Sequence, residues 1–388
     1  MFLIFAVNIS TAAASCTVGL ITAIILYRIF RYKEYPDVDR KLACLFAVYF
    51  ILQIIIAALS INPLVSFREV VGEIHRCFPL FFAMLYIKTK DHLKYILLAF
   101  MFSVLLNNIF GEIQYFVFHL DRTFAFAHTP TFYASFLLMQ LPILIWIITL
   151  DFMPAWSKRL DIIIIITSLQ MLIATVTRGV WLAFMVTGIV FIILDERWRQ
   201  KSIKYLITVF VISLAIIAFT PHLQSRAVTL WNPDYTSNSE RILMWKSSIE
   251  IIKDYPIHGI GQKMFQMVYN LHYISENARE RPPAGTYESG HTHPHNNIFN
   301  VTTEGGIIGL FAFVMLHGYF FRRLYDLHKN ERKHLKLTCG MVGFIVLLAL
   351  QLEGLTDTNM NQVPIMREYW FLIGMLLVSG NILQNRKL

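Results

Sequence analysis

Residues 130–150 read PTFYASFLLMQLPILIWIITL and contain no charged side chain. A helix of about 20 apolar residues is long enough to cross the hydrocarbon core of a membrane. Comparable apolar stretches recur along most of the chain, near residues 10–30, 42–60, 68–87, 92–110, 159–177, 179–195, 203–220, 298–320, 337–353 and 367–384. The pattern predicts an all-α polytopic membrane protein with about 11 to 12 transmembrane helices.

The composition indicates that lipid is the surrounding solvent. Of the 388 residues, 56% are hydrophobic and 15% are charged, whereas soluble domains carry about 25% charged residues. The formal net charge of +9 would suggest nucleic acid in a soluble chain, but the basic residues sort by loop. We therefore expect no nucleic-acid partner. We expect the four cysteines to be small buried residues, because they lie in or beside apolar stretches without metal or redox spacing.

The distribution of Lys and Arg predicts the orientation, because cytoplasmic loops are enriched in these residues. Basic clusters occur on alternate loops, at residues 28–41, 88–94, 158–159, 197–204, 322–336 and 386–387. We therefore expect a cytoplasmic C-terminus and an external loop over residues 221–297. The chain then divides into residues 1–220 with eight transmembrane helices, a loop domain of residues 221–297, and C-terminal transmembrane helices within residues 298–388.

The long loop is predicted to contain one amphipathic helix, over residues 237–254. The stretch Ser237-Asn238-Ser239-Glu240 has the form of a capping box, in which a serine and a glutamate satisfy the first backbone N–H groups. Apolar side chains follow at helical spacing, at Ile242, Trp245, Ile249 and Ile252. We expect this helix to lie on the membrane surface or on the helix bundle.

Two arginines are candidates for binding an anion. Arg178 lies between two apolar stretches with almost no linker, where an arginine needs a partner, a function or a route to the membrane surface. The alternative is a structural arginine that anchors a tight turn. Arg241 lies in the first turn of the predicted loop helix, where a cation opposes the helix dipole. The alternative there is an ordinary solvated side chain.

Three alternating histidines, His291, His293 and His295, would share one face of an extended segment. Three imidazoles on one face can bind zinc, but no further ligand is evident in the sequence. A single histidine that accepts a proton fits better, because neutral imidazole titrates near physiological pH. The structural alternative is a polar entry to the next helix, with Asn296 or Asn297 as its N-cap.

Further charged residues lie on the same predicted side of the membrane. Asp357 follows the tenth predicted helix, where it can also pair with an arginine, and Arg122 lies in a short external loop. Arginines bind diphosphate through forked hydrogen bonds, and a histidine can take a proton from an attacking hydroxyl. Together these residues predict group transfer from a lipid-linked diphosphate. No external acidic pair suits Mg²⁺, so we expect no metal and no cofactor.

Several of these residues form a pattern that resembles the bacterial O-antigen ligases and the related O-antigen polymerases and O-oligosaccharyltransferases. His295-Asn296, nine residues, Gly306, two residues and Gly309 resemble the family's H-[NSQ]-x9-G-xx-G signature. Thr177-Arg178-Gly179 is similar to the family's T-R-[AG] turn. Arg241 with Met244 and Trp245 resembles its second arginine, and Asp357 with Arg367 resembles its acidic C-terminal element.

The resemblance implies a GT-C-like fold in the bacterial inner membrane, with an active site that faces the periplasm. It implies an O-antigen ligase that transfers glycan, with inversion and without metal, from undecaprenyl diphosphate to the lipid A-core oligosaccharide. His295, Arg178 and Arg241 would be catalytic, and the implied substrate-binding residues are Arg122, His293, Asn296, Asp357 and Arg367. Alternatives are a polymerase with a second lipid-linked glycan as acceptor, a lipid-linked glycan transporter and a zinc site. Family members often have twelve spanning helices, whereas about eleven are counted in this sequence. Either the N-terminal helix of the family is absent here or residues 1–30 hold two membrane segments rather than one.

Overall fold

The computed structural model describes residues 1–197, 235–279, 281–283 and 285–384. Between residues 198 and 234 it describes only 199–200, 203–204, 207–208, 211, 218–219, 224 and 228–229. Every regular element in these ranges is helical, so the predicted all-α class is confirmed. Most of the predicted helix over residues 203–220 lies outside the described residues, as do the C-terminal basic residues Arg386 and Lys387.

The helices follow the apolar stretches closely. They are α1 (Phe2–Val7), α2 (Thr11–Tyr32), α3 (Arg40–Ala58), α4 (Pro63–Tyr86), α5 (Lys90–Phe116), α6 (Pro130–Thr149), α7 (Ala155–Ala174), α8 (Arg178–Leu194), α9 (Thr236–Asp254), α10 (Phe265–Val268), α11 (Asn297–Glu331), α12 (Cys339–Glu353) and α13 (Val363–Leu383). By length and composition, α2, α3, α5, α6, α11 and α13 can cross a membrane, and α8 and α12 are shorter apolar helices. A polytopic membrane protein is thereby confirmed, whereas the number of eleven or twelve spans stays a prediction.

The first 32 residues form two helices, of which only α2 is long enough to span. The six residues of α1 rise about 9 Å at 1.5 Å per residue, far less than a bilayer core. Leu3, Ile4 and Val7 of α1 are buried against the bundle. The expectation that all four cysteines are buried is wrong for Cys16 and Cys44, which are exposed on α2 and α3.

Helix α13 is the most buried of the candidate spans and packs against α4, α11 and α12. Its Trp370 is buried, and the ring lies against Phe46 of α3 and Phe320 of α11, with centroid distances of 5.5 and 5.3 Å. Burial of such large aromatic side chains stabilises the bundle strongly. The bundle therefore provides a rigid support for the polar loops at the start of α11 and the end of α12.

Helix α11 was predicted as one uninterrupted apolar helix, but its backbone is broken at Gly306, where φ is 57° and ψ is −153°. The segment that follows α9 satisfies the backbone groups at the break. The amides of Ile307 and Ile308 donate to the carbonyls of Pro256 and Ile257, at 2.9 and 3.2 Å. A Cβ atom at Gly306 would clash with the Ile257 carbonyl. This close approach and the positive φ both require glycine.

The predicted loop helix exists as α9, but two details of the prediction are wrong. The helix begins at Thr236 after an N-cap at Tyr235, so Ser237 lies inside the helix and no capping box forms. The face that packs on protein carries Met244 and Ile251, whereas Ile242 and Ile249 of the predicted apolar stripe are exposed. The tertiary contacts with α11 and α10 therefore select a face that periodicity alone did not indicate.

Candidate active site

The centre of the candidate site is a hydrogen-bonded pair of His295 and Asp357, with 2.9 Å between His295 Nδ1 and Asp357 Oδ1. His295 has a positive φ of 49°, which is uncommon for a residue other than glycine. Such backbone conformations persist where the surrounding structure enforces them, and they cluster at functional sites. Burial acts to raise the pKa of Asp357, but the hydrogen bond and charge of His295 hold that pKa below its ordinary value.

Two asparagines hold the two halves of this pair together. The side-chain oxygen of Asn296 accepts from the amides of Ile298 and Phe299, which confirms Asn296 as the N-cap of α11. Its side-chain nitrogen donates to the Leu355 carbonyl at 2.9 Å. The amide of Asn297 donates to the carbonyl of Gly354 at 2.6 Å. The loop after α12 is therefore fixed against the start of α11, which brings Asp357 to His295.

The three alternating histidines do not share one face. The rings of His293 and His295 lie 4.4 Å apart at 74°, whereas His291 faces Glu240, with 3.5 Å between Nε2 and Oε2. The positive φ at His295 ends the extended backbone on which a common face depends. Burial, aided by the charge of His295, lowers the pKa of His293 to about 4. His293 is therefore neutral at physiological pH.

Arg241 approaches the pair from α9 without hydrogen-bonding to it. Its guanidinium makes no hydrogen bond or ion pair with the described residues. Burial lowers its pKa, and the negative charges of Asp357 and Glu353 act in the opposite direction. A largely buried cation with unused donors can bind an anionic ligand strongly. Arg241 is therefore not the ordinary solvated side chain that was the alternative prediction.

Trp245, one turn after Arg241, connects α9 to the segment that carries His295. Its indole N–H donates to the carbonyl of Pro294 at 2.9 Å, directly before His295 in the chain. The indole ring also stacks on Phe299 of α11, with a centroid distance of 5.8 Å and an angle of 27°. The helix that carries Arg241 is thereby fixed relative to the backbone of His295.

Arg178 is the first residue of α8 and is bound on several sides. Its guanidinium donates to Thr229 Oγ1 at 2.7 Å and to Asn238 Oδ1 at 3.1 Å, and it lies 5.3 Å from the Tyr235 ring centroid. Asn238 and Arg241 are three residues apart on α9, a spacing that places them on one side of a helix. Contacts at the start of α9 therefore bring the two arginines to the same region.

The turn before Arg178 is held by Arg122, whose Nε donates to the Thr175 carbonyl at 3.0 Å. Val176 in this turn has a positive φ of 53°, a strained conformation for a β-branched residue. The next glycine, Gly179, faces Thr356, so closely that a Cβ atom would overlap the threonine hydroxyl. The start of α8 therefore packs against the loop that carries Asp357.

The structure separates Arg367 from this cluster. Its guanidinium is bonded to Ser15 Oγ at 2.8 Å and to His75 Nδ1 at 3.0 Å, within the bundle. The structure therefore brings together His293, His295, Asn296, Asp357, Arg241 and, through α8 and α9, Arg178 and Arg122. The catalytic and substrate-binding roles assigned to these residues, and the substrate-binding role of Arg367, stay predictions.

Some residues that build the site were not identified from the sequence. Thr358 donates its amide to Asp357 Oδ1 at 2.8 Å, and its hydroxyl accepts from the amide of Asn296 at 3.1 Å. Asn238 binds Arg178, although its stretch was interpreted as a helix cap. For Thr358, the available signal in the sequence was the polar stretch from Glu353 to Asn361 directly after an apolar helix. For Asn238, the sequence offers no such signal.

The residues that can hold a metal ion differ from the predicted trio of histidines. One ligand atom each from His293, His295 and Asp357 lie within 4.8 Å of one another. The same residues can also serve without metal, since a histidine that is hydrogen-bonded to a carboxylate can accept a proton. The neighbouring Arg241 supplies positive charge. The cluster can therefore activate a hydroxyl beside a bound anion.

Comparisons with known proteins agree with this geometry. A family model described as O-antigen ligase matches residues 163–314, a range that contains Arg178, Arg241 and His295. The O-antigen ligase of Salmonella typhimurium is 25% identical over 348 residues, which cover 84% of this chain and 82% of that protein. A Rickettsia felis protein that carries the name of a polysaccharide ligase is 25% identical over 268 residues, which cover 66% of this chain and 62% of that protein.

The helical fold defines a multi-pass membrane protein, and these matches show its similarity to O-antigen ligases. The predicted resemblance to the O-antigen ligase family is confirmed by the family model and by the Salmonella relative together.

Proposed function

We propose that this protein is an O-antigen ligase that transfers a glycan from undecaprenyl diphosphate to a hydroxyl of the lipid A-core oligosaccharide, with a GT-C-like fold. The observation that carries the proposal is the His295–Asp357 pair at 2.9 Å, with the guanidinium of Arg241 beside it and without a hydrogen bond to any described residue. A proton acceptor next to a cation with unused donors suits attack by a hydroxyl on a diphosphate-linked sugar.

His295 acts as the general base. Its Nδ1–H donates to Asp357, so the lone pair of Nε2 is available to the acceptor hydroxyl. The hydroxyl oxygen forms a bond to the anomeric carbon as its proton moves to Nε2. The bond from that carbon to the diphosphate oxygen breaks, and its electron pair leaves with undecaprenyl diphosphate. A single displacement of this kind inverts the configuration at the anomeric carbon.

The arginines bind the departing diphosphate. Arg241 approaches the pair closely enough for its charge to act on Asp357, and Arg178 reaches the same end of α9 through Asn238. Forked hydrogen bonds from two guanidinium groups offset the negative charge that grows on the leaving group. This is a role that a metal ion has in many soluble transferases. The proposed reaction is therefore metal-independent.

We assign the site to the periplasmic face of the inner membrane. His295 lies directly before Asn296, the N-cap of α11, and α11 is long and apolar enough to cross a membrane. At the opposite end of α11 from His295 lie the basic residues Arg322, Arg323 and Lys329, and Arg332 follows at the C-cap. Basic residues favour the cytoplasmic side, which supports a periplasmic site and a cytoplasmic C-terminus.

The first test is replacement of the proposed base in cells. His295→Ala should reduce glycan attachment to lipid A-core by at least about 10²-fold, because the proposed general base is lost. His272→Ala is the matched control, since His272 is an exposed histidine of the same loop. Both variants should insert at wild-type levels. Attachment at a normal rate by an inserted His295→Ala variant would falsify the proposal.

A second test identifies the acceptor. The purified protein is given an undecaprenyl-diphosphate glycan with either a lipid A-core acceptor or a second lipid-linked glycan. A ligase forms product only with the first acceptor, and product only with the second would identify a polymerase instead. Transport of the lipid-linked glycan without any product would identify a transporter.

A further inference from the structure

We infer that His293, His295 and Asp357 form a binding site for Zn²⁺, and that zinc bound there inhibits glycan transfer. The first observation is the position of the ligands. One ligand atom from each of the three residues lies within 4.8 Å of the other two. Two imidazoles and one carboxylate are ligands that zinc accepts, and three protein ligands leave the fourth position open.

The second observation is an unsatisfied buried atom. His293 Nδ1 is buried and has no hydrogen-bond partner among the described residues. Buried polar atoms are nearly always hydrogen-bonded, so an exception indicates a ligand or a function. The ring of this histidine packs against that of His295 with centroids 4.4 Å apart. A lone pair on His293 is therefore already close to the other two ligands.

The third observation is that little movement is needed. In a tetrahedral site with bonds of 2.0–2.1 Å, neighbouring ligand atoms lie about 3.3 Å apart. His295 Nδ1 and Asp357 Oδ1 are 2.9 Å apart. Trp245 and Asn296 hold the backbone on either side of His295. Since the three ligand atoms lie within 4.8 Å of one another, side-chain adjustments of up to about 1.5 Å bring them to zinc distances.

The surrounding charges set the strength of binding. Arg241 acts on the same carboxylate and opposes a bound cation. The ligands also include only one carboxylate for an ion of charge +2. We therefore expect reversible occupancy rather than a permanently bound structural zinc, which would have a closed set of four ligands.

The inhibition rests on the proposed function. A neutral imidazole has one nitrogen lone pair, and a metal ion that binds His295 takes that lone pair. The imidazole then cannot accept the proton of the acceptor hydroxyl. The bound ion also attracts the Asp357 carboxylate, which no longer orients His295. The inference concerns an inhibitory ion and leaves the transfer reaction itself metal-independent.

Metal binding is tested first, on the purified full-length protein in detergent and without substrate. Co²⁺ is the probe because its visible absorption reports tetrahedral nitrogen and oxygen ligands, and Zn²⁺ is then added to displace it. We expect one metal per chain. His293→Ala should weaken binding more than about tenfold, since even changes outside the ligand set cost 10- to 100-fold. Asp357→Asn should also weaken it.

His291→Ala is the matched control for metal binding, since His291 faces Glu240 and lies outside the three-residue cluster. It should bind Co²⁺ as the wild type does. Thermal melting of each variant shows whether it is folded. Equal binding by the wild type and a folded His293→Ala variant, or no binding by the wild type, would overturn the site. This result does not depend on any transfer activity, so it separates failure of the site from failure of the proposed function.

Inhibition is tested by titrating Zn²⁺ into the transfer reaction. Activity should fall as zinc fills the site and return after EDTA is added. For His293→Ala, measured against its own zinc-free rate, half-inhibition should need more than about tenfold more zinc. Activity that EDTA abolishes and zinc restores would contradict inhibition and would make the ion a catalytic one.

Discussion

Arg178 and Arg241 reach the candidate site from two regions that differ in how fully the protein uses their donors. At the start of α8, Arg178 is bonded to Thr229 and Asn238 and lies over the ring of Tyr235. On α9, Arg241 makes no hydrogen bond with the described residues, although the charges of Asp357 and Glu353 act on it. Hydrogen bonds to neighbouring residues fix the guanidinium of Arg178, whereas the position of Arg241 is set by the helix that carries it, α9.

The difference separates two ways of preparing an anion site. An arginine that bridges helices contributes to stability, so its replacement should affect folding and function together. An arginine with unused donors contributes mainly when a ligand is bound, so its replacement should affect function alone. The anchored arginine also holds α9, through Asn238, where Arg241 can reach the ligand.

The largest effect is expected from Gly306→Ala, which acts on the Arg241 side of the comparison. The new Cβ would meet the backbone of Ile257 and Gly259, in a backbone conformation nearly restricted to glycine. We expect a loss of about 3 kcal/mol of stability or more and no detectable transfer, because the segment after α9 must move.

Gly318→Ala is the matched control for this change, because nothing lies within 4 Å of a Cβ at that position of the same helix. Its melting temperature and activity should be close to the wild-type values. If both alanine variants behave alike, the break in α11 does not hold the site together. Melting in detergent and transfer assays measure the two effects.

Arg241→Ala is expected to lower kcat/KM by about 10² to 10³, because charge stabilisation of the leaving group is lost. The melting temperature should change little, since no hydrogen bond to a described residue is removed. The kcat/KM of Arg241→Lys should lie between those of the wild type and Arg241→Ala, because a lysine keeps the charge but lacks the forked donors of a guanidinium. Lys246→Ala, an exposed cation of the same helix, is the control for general charge effects. A drop in melting temperature without a drop in activity would show that Arg241 stabilises the fold and does not act on the leaving group.

Arg178→Lys is expected to lower kcat/KM by about 10- to 100-fold and also to lower stability by about 1–3 kcal/mol. A lysine cannot bond to Thr229 and Asn238 at once and stack on Tyr235 as a planar guanidinium does. The measurement is the melting temperature beside the rate, compared with Arg241→Lys. Equal stability of the two lysine variants would remove the distinction between the regions.

The smallest effect is expected from Trp245→Phe, which keeps the stacking on Phe299 and removes the hydrogen bond to the Pro294 carbonyl. Loss of about 1 kcal/mol in positioning corresponds to about a fivefold lower kcat. KM for the lipid-linked donor should be unchanged, because Trp245 positions His295 and does not bind the diphosphate. A change confined to KM would show that the residue has a different role.

Much of the fold could be predicted because lipid imposes a strict rule on sequence. A spanning helix needs about 20 apolar residues, so α2, α3, α5, α6 and α13 are readable from composition alone. The break in α11 was not readable, because a glycine in an apolar helix is common and only the approach of the segment after α9 explains this one. The packed face of α9 was likewise decided by the elements against which it lies.

The sequence by itself determined the helical membrane architecture, a cap at Asn296 or Asn297 and the choice of His295, Arg178 and Arg241 as candidates. These follow from local patterns: apolar length, capping chemistry and a short signature. Only the tertiary structure decided that Asp357 pairs with His295 rather than with an arginine, that His291 leaves the cluster, and that one arginine is anchored while the other has unused donors. Asp357 and His295 are 62 residues apart. No local pattern encodes a contact between loops, because packing of the helices that carry those loops sets their distance.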